Sequence, residues 1–174
     1  FLKAIGFGTA GFVLASQRDL FAGEESKPNI ILILSDDVGL GDICCCGGAF
    51  KTPHLDALAQ DGLRFEECYS TPLCGPSRCQ LLTGRYPFRT GLISNRSADA
   101  IHPDREIMIP TVMKKAGYVT GSCGKWGQMC LGPGEWGFDE HLVFEHGGRY
   151  WRKQSSCYTM NGKKKELAEN EYLP

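Results

Sequence analysis

Apolar residues fall along this chain in short blocks, separated by glycine, proline and polar turns. Asn29-Ile30-Ile31-Leu32-Ile33-Leu34 is continuous and rich in β-branched residues between Pro28 and Ser35. A strand buried on both faces, as in a parallel sheet, reads this way. In residues 52–62, Leu55, Leu58 and Ala59 recur at helical spacing, with Thr52 as cap, Pro53 at the first position and Gly62 as stop. Leu63 to Tyr69 alternates as a strand would, with Leu63 and Phe65 packed. A short helix is expected between Pro76 and Gly84, giving Leu81 and Leu82 to the core. Pro110 to Gly117 reads as another helix, and Tyr118 to Gly124 as the strand after it. Helix, glycine, strand is the alternation found around a parallel sheet, so the expected class is α/β. Residues 94–107 are polar and loop-like, and from Trp151 the chain turns polar again.

The first residues follow a different rule. Lys3 precedes an apolar run from Ala4 to Ala15, which Ser16-Gln17-Arg18-Asp19 ends. The run is shorter than the roughly 20 residues that span a bilayer, so no stable membrane insertion is expected. Its length and small residues suit the core of a secretion signal; a packed N-terminal helix is the other reading. Phe1-Leu2-Lys3 resembles the second half of a twin-arginine signal. On that resemblance residues 1–25 are a signal remnant and linker, and the protein is exported to a bacterial periplasm or the extracellular space. Residues 26–174 remain for the fold.

Composition narrows the partners more than the fold. The 174 residues carry a net charge of −1, so no general attraction to nucleic acid follows. Lys163-Lys164-Lys165 is read as a solvated loop. The nine cysteines lie at positions 44, 45, 46, 68, 74, 79, 123, 130 and 157, and none form a C-x-x-C pair. Adjacent Cys44, Cys45 and Cys46 cannot easily converge on one metal, and read as small apolar residues or a local disulfide.

Two stretches carry candidate chemistry. In Cys74-Gly75-Pro76-Ser77-Arg78-Cys79-Gln80-Leu81-Leu82-Thr83-Gly84-Arg85 a thiol, a helix start and a guanidinium share one short run. Cys74 and Arg78 are four apart, on one helical face if the helix reaches Cys74. Cys74 then stands among unpaired N–H groups at the positive helix end, a place for a tetrahedral oxyanion. Asp36-Asp37 ends the apolar run, where open α/β sheets put their ligands. By spacing alone the pair is a loop element, a cap, or two ligands of one hard cation.

The Cys74 run resembles the sulfatase signature Cys-x-Pro-Ser-Arg-x-x-x-Leu-Thr-Gly-Arg. Residues 28–37 with the following Gly-x-Gly-Asp, and the Thr52 to Ala59 helix, resemble that family too. The resemblance implies an alkaline-phosphatase-like α/β/α sandwich with a largely parallel central sheet. It implies that Cys74 is oxidised to formylglycine by a converting enzyme, and that Asp36, Asp37 and residue 74 bind Ca²⁺, or Mg²⁺ in its place. Arg78 would hold the nucleophile and metal ligands, and Lys125 would bind the sulfate. Where the family has Gly-Lys-Trp-His, this chain has Gly124-Lys125-Trp126-Gly127, so the family histidine is missing; His141 and His146 are near in sequence only. Further metal ligands, a histidine and a second lysine of the family lie beyond the resemblance, which runs from about Pro28 to about Glu145. The chain is therefore expected to be an N-terminal part of the catalytic domain, inactive alone.

The function so implied is hydrolysis of a sulfate ester on a small molecule or carbohydrate. One hydroxyl of the formylglycine hydrate attacks sulfur and displaces the alcohol; the second then loses its proton and expels sulfate. Two rivals stand beside it. A phosphonate or phosphate ester hydrolase of the same superfamily would use the same metal and helix end. A binding-only relative would account for Gly127.

Overall fold

The computed structural model describes residues 27–127, 129–144 and 157–168. The chain divides into two units, Phe1–Leu40 and Gly41–Pro174. The signal reading of residues 1–16 lies outside the described residues, as do His146 and residues 151–156 of the polar stretch.

In the first unit the expected strand at 29–34 does not form. No strand is assigned there, and Ile31 and Ile33 are 84% and 83% exposed. The apolar run states a demand for burial, but a strand exists only through the hydrogen bonds of a neighbour, and local sequence cannot supply one. Asp37 follows with a positive φ of 58°, a conformation that aspartate tolerates better than most residues.

The second unit begins with a short 3₁₀ turn, Cys44–Cys46, set against helix α1, Pro53–Asp61. Thr52 stands at the N-cap, yet its hydroxyl makes no cap bond. Instead it accepts from the Cys44 N–H at 2.9 Å and donates to Asp56 Oδ1 at 2.9 Å. Asp56 also accepts from the Cys45 N–H. Desolvation pushes the Asp56 carboxyl up, but the bonds from Thr52 and from Cys45 outweigh it and hold the group below its ordinary value. The triple cysteine is thus a backbone donor to α1, and no local disulfide forms; all nine cysteines are free thiols. The expected apolar face of α1 is not covered: Leu55 and Leu58 remain exposed. The expected strand after it is absent as well, with Leu63, Phe65 and Tyr69 exposed. Arg64 there turns to the Cys45 carbonyl and to Glu66.

Helix α2 runs Cys74–Thr83 and stops at Gly84, whose φ of 66° suits glycine. A single turn, α3, follows at Pro87–Thr90, and α4 covers Ile109–Lys115. Strand β1 is Gly121–Gly124, β2 Glu140–Phe144, β3 Cys157–Met160 and β4 Lys163–Glu166. Their order is β1-β2-β3-β4. β1 pairs parallel with β2, while β2·β3 and β3·β4 are antiparallel. The α/β class stands, in a mixed sheet with the parallel pair at the end that follows α4. Lys163-Lys164-Lys165, expected as a loop, is instead strand β4. Asn161-Gly162 makes the turn with φ of 49° and 76°, the arrangement of a two-residue hairpin.

The core explains which helical residues matter. Cys79, Leu92, Ile101, Met108, Trp126, Met129 and Trp136 are buried together, with Leu82 and Phe138 packed on them. Leu81, expected inside, is 37% exposed, and the fully buried side chains of α2 are Pro76 and Cys79. The loop-like residues 94–107 likewise contribute Ile101 to the core, and bury Glu106 against Arg85 at 2.8 and 2.9 Å. Trp126 stacks edge-on with Phe138 and donates to the Leu131 carbonyl. Cys79 under α2 and Trp126 beside Lys125 belong to one packed body, which fixes both halves of the site. Among the described residues no helix is long and apolar enough to cross a membrane.

Candidate active site

Three chain segments meet at Cys74. The first is α2, which Cys74 itself begins. The second is the loop after Leu92, where Ser94 and Ser97 hydroxyls pair at 2.9 Å and the Ser97 N–H bonds the Ser94 carbonyl; Asn95 sits in this turn. The third is the exit of β1, which delivers Lys125.

Lys125 Nζ lies 3.5 Å from Cys74 Sγ, across 51 residues of sequence. Asn95 Nδ2 lies 3.7 Å from the same sulfur. The Asn95 Oδ1 accepts from the Gly75 N–H at 3.0 Å. Arg78 does not direct its bond at the thiol: its Nη1 donates to the Lys125 carbonyl at 2.7 Å. Cys74, Arg78, Lys125 and Asn95 are all half-buried, so the site is partly open to a ligand. Two nitrogens, one of them cationic, therefore converge on the atom attached to Cβ of residue 74. Such a pair favours an atom bearing negative charge, and fits the oxygen of an oxidised residue 74 as well as sulfur.

The helix end itself works differently from expectation. The Gly75 N–H is taken by Asn95, Pro76 has none, and the Ser77 N–H bonds the Leu73 carbonyl at 3.0 Å. These N–H groups are satisfied inside the protein, so Lys125 supplies the main local attraction for an anion, with the helix dipole behind it.

Gly127 occupies the position of the family histidine. Its φ is +98°, and a Cβ there would stand 3.2 Å from Arg78 Cδ and 3.9 Å from Gly75 Cα. The backbone of Gly127 packs on the helix face between residues 75 and 78, a place that leaves no room for a side chain without a shift. His141 lies in β2, and its Nδ1 is buried without a hydrogen-bond partner.

Asp36 and Asp37 lie in the first unit, Asp36 half-buried and Asp37 exposed. In a regular strand adjacent side chains point apart; the positive φ of Asp37 breaks that alternation. Two carboxylates of this kind are hard oxygen donors of the type Ca²⁺ and Mg²⁺ take. Among the described residues no group of three His, Cys, Asp or Glu side chains stands ready to hold a metal.

Sequence reasoning missed Asn95, because a polar residue in a polar loop twenty positions downstream gives no periodic or motif signal. It also missed that Arg85, the last residue of the signature run, pairs with Glu106 and so fastens the end of α2 to the 94–107 loop.

Comparison with known proteins identifies the family. The family model described as Sulfatase matches residues 28–171. The steryl-sulfatase of Rattus norvegicus is 37% identical over 134 residues, covering 66% of this chain and 23% of that protein. The N-acetylgalactosamine-6-sulfatase of Canis lupus familiaris is 44% identical over 117 residues, covering 60% and 22%. A solved structure in complex with its substrate D-glucosamine-2-N,6-O-disulfate superposes with a TM-score of 0.72 at 30% identity, over 84% of this chain and 28% of the other. The chain thus spans about a quarter of the length of these relatives.

Proposed function

Because the chain belongs to the sulfatase family, we propose that it carries the nucleophile-bearing part of an enzyme that hydrolyses sulfate esters through a formylglycine made from Cys74. The observation that carries this reading is the approach of Lys125 Nζ to 3.5 Å from Cys74 Sγ, inside a matching signature.

The modified residue supplies a hydrated aldehyde, with one hydroxyl for attack on sulfur and a second to expel the sulfate. Asp36, Asp37 and residue 74 would hold a divalent cation, Ca²⁺ or Mg²⁺, which neutralises charge on the ester oxygens. The chain's own groups do the rest. Lys125 places a positive charge where a sulfate oxygen meets residue 74, which favours the bound ester and more so the charge developing in the transition state. Arg78 acts through Lys125: by fixing that residue's carbonyl it sets where the ammonium can reach. The buried Trp126 next to it limits the motion of the same segment.

Substrate class follows by likeness only. The relatives include a steryl-sulfatase, N-acetylgalactosamine-6-sulfatases and a structure holding a disulfated glucosamine, so the substrate here is proposed to be a sulfated small molecule or carbohydrate. A phosphate or phosphonate ester would suit the same donors; the sulfatase names of the relatives set sulfate ahead. Export through a twin-arginine signal, and conversion of Cys74 by a formylglycine-generating enzyme before folding, complete the proposal.

The test is peptide mass spectrometry together with turnover on the active protein from its host. Residue 74 should lack a thiol and react with a hydrazine probe, while Cys79 remains alkylatable after unfolding. Aryl sulfate should be cleaved in preference to aryl phosphate. Full activity with an intact thiol at position 74 would overturn the mechanism, and a preference for aryl phosphate would move the enzyme to the rival class.

A further inference from the structure

We propose that Asn95 is a catalytic hydrogen-bond donor of this site, with its amide nitrogen on the reacting atom of residue 74 and its amide oxygen holding the first turn of α2. This rests on the sulfatase reading above and adds a residue to it.

The orientation of the amide is decided by chemistry. The Gly75 N–H can only donate, so the Asn95 atom 3.0 Å from it must be the oxygen. The nitrogen is then the atom 3.7 Å from Cys74 Sγ, nearer to it than the oxygen, which lies 3.9 Å from the same sulfur. Asn95 does locally what no residue beside the helix does, since Leu73 at the N-cap offers no side-chain bond. An asparagine is among the best residues for that task, but here it reaches the helix from twenty positions away and carries a free choice of what to do with its second polar group. That group faces the nucleophile.

The loop is built to hold it there. Leu92 is completely buried. Gly91 has a φ of +85° with Ala100 Cβ 3.1 Å from its own Cβ position, and the Ser94–Ser97 turn closes around Asn95. Lys125 and Asn95 therefore approach residue 74 from two separately anchored segments. One brings a charge and the other a neutral donor whose hydrogen bond does not depend on protonation. An oxygen at residue 74 that gains negative charge during attack, or when sulfate leaves, is met by both.

Aspartate separates the two roles of Asn95. Asn95→Asp keeps an oxygen for the Gly75 N–H and removes the donor; Asn95→Ala removes both. With residue 74 converted equally in each protein by mass spectrometry, Asn95→Asp should keep the urea midpoint of the parent protein. It should lose at least about 10-fold in kcat on an aryl sulfate, with KM changed less than about 3-fold. Asn95→Ala should lose both midpoint and kcat. An Asn95→Asp enzyme with undiminished kcat, beside an Asn95→Ala enzyme that is only less stable, would reduce Asn95 to a cap and overturn the assignment. A second readout needs no turnover: the Asn95 side-chain NH₂ resonances should shift on Cys74→Ser and stay in place on Cys79→Ser. Equal insensitivity to both would overturn the contact. No sulfate ester cleavage by the unsubstituted protein as its host produces it, with the Cys74→Ser shift present, would sink the sulfatase reading and leave the Asn95 contact standing.

Discussion

Arg78 Nη1 donates to the backbone carbonyl of Lys125 at 2.7 Å, from one helix turn below Cys74 and 47 residues away in sequence. The guanidinium of the signature thus serves the lysine that faces the nucleophile. A charged donor on a neutral carbonyl inside a half-buried site is among the stronger kinds of hydrogen bond, and it ties α2 to the exit of β1.

Removing it should therefore cost both stability and turnover. Arg78→Met is expected to lower unfolding stability by about 1.5–3 kcal/mol. It should also reduce kcat/KM on a sulfate ester by about 100-fold, since Lys125 loses its anchor. Urea titration and steady-state kinetics on the same preparation check both. Activity near that of the parent protein would show that the lysine is held by other means.

Gly127 sets a second expectation. With φ at +98° and a Cβ position 3.2 Å from Arg78 Cδ, Gly127→Ala should destabilise by about 1–3 kcal/mol through backbone strain alone. Gly127→His, which reinstates the family residue, should be destabilised at least as much and should not raise turnover. A histidine variant that is as stable as the parent and faster would mean that this segment rearranges easily.

Asp139 gives a pH dependence whose sign can be worked out. Its carboxyl is held at about 2, from an ordinary 3.8, first by the hydrogen bond from Lys114 and then by the Thr120 N–H and hydroxyl; the Lys114 contact is 2.7 Å and the Thr120 contacts are 2.8 and 2.9 Å. A depressed folded-state value means that the stabilising contribution is complete above about pH 4 and is lost as pH falls toward 2. Urea midpoints measured from pH 5 to pH 2.5 should fall, and Asp139→Asn should flatten that decline. An unchanged slope in the variant would assign the acid limb to other carboxylates.

What the sequence made legible was local. The α1, α2 and α4 helices follow from Pro53, Gly62, Gly84, Pro110 and Gly117, whose backbone preferences act within one turn. Cys74, Arg78 and Lys125 were found by motif, and the second unit brings the three together. What failed was whatever needed a distant partner. Ile30 to Leu34 has the composition of a buried strand but no strand assignment, because a ladder needs two participants. Lys163 to Lys165 has the composition of a loop but pairs with β3, because Asn161-Gly162 closes a hairpin that charge-counting overlooks. Asn95 was invisible for the same reason: its importance comes from Gly75 and Cys74, neither of them near it in sequence.

The anchors of α2 also set a clock. The first turn is not secured until Asn95 has been made, and Lys125 cannot reach residue 74 until 51 further residues have followed it. At a synthesis rate of about 5–20 residues per second, roughly 3–10 seconds separate the appearance of Cys74 from the completion of its surroundings. During that interval the segment lacks the Lys125 contact of the folded site, which leaves it more open to any enzyme that must act on unfolded chain. Afterwards the same thiol is a corner of a folded site.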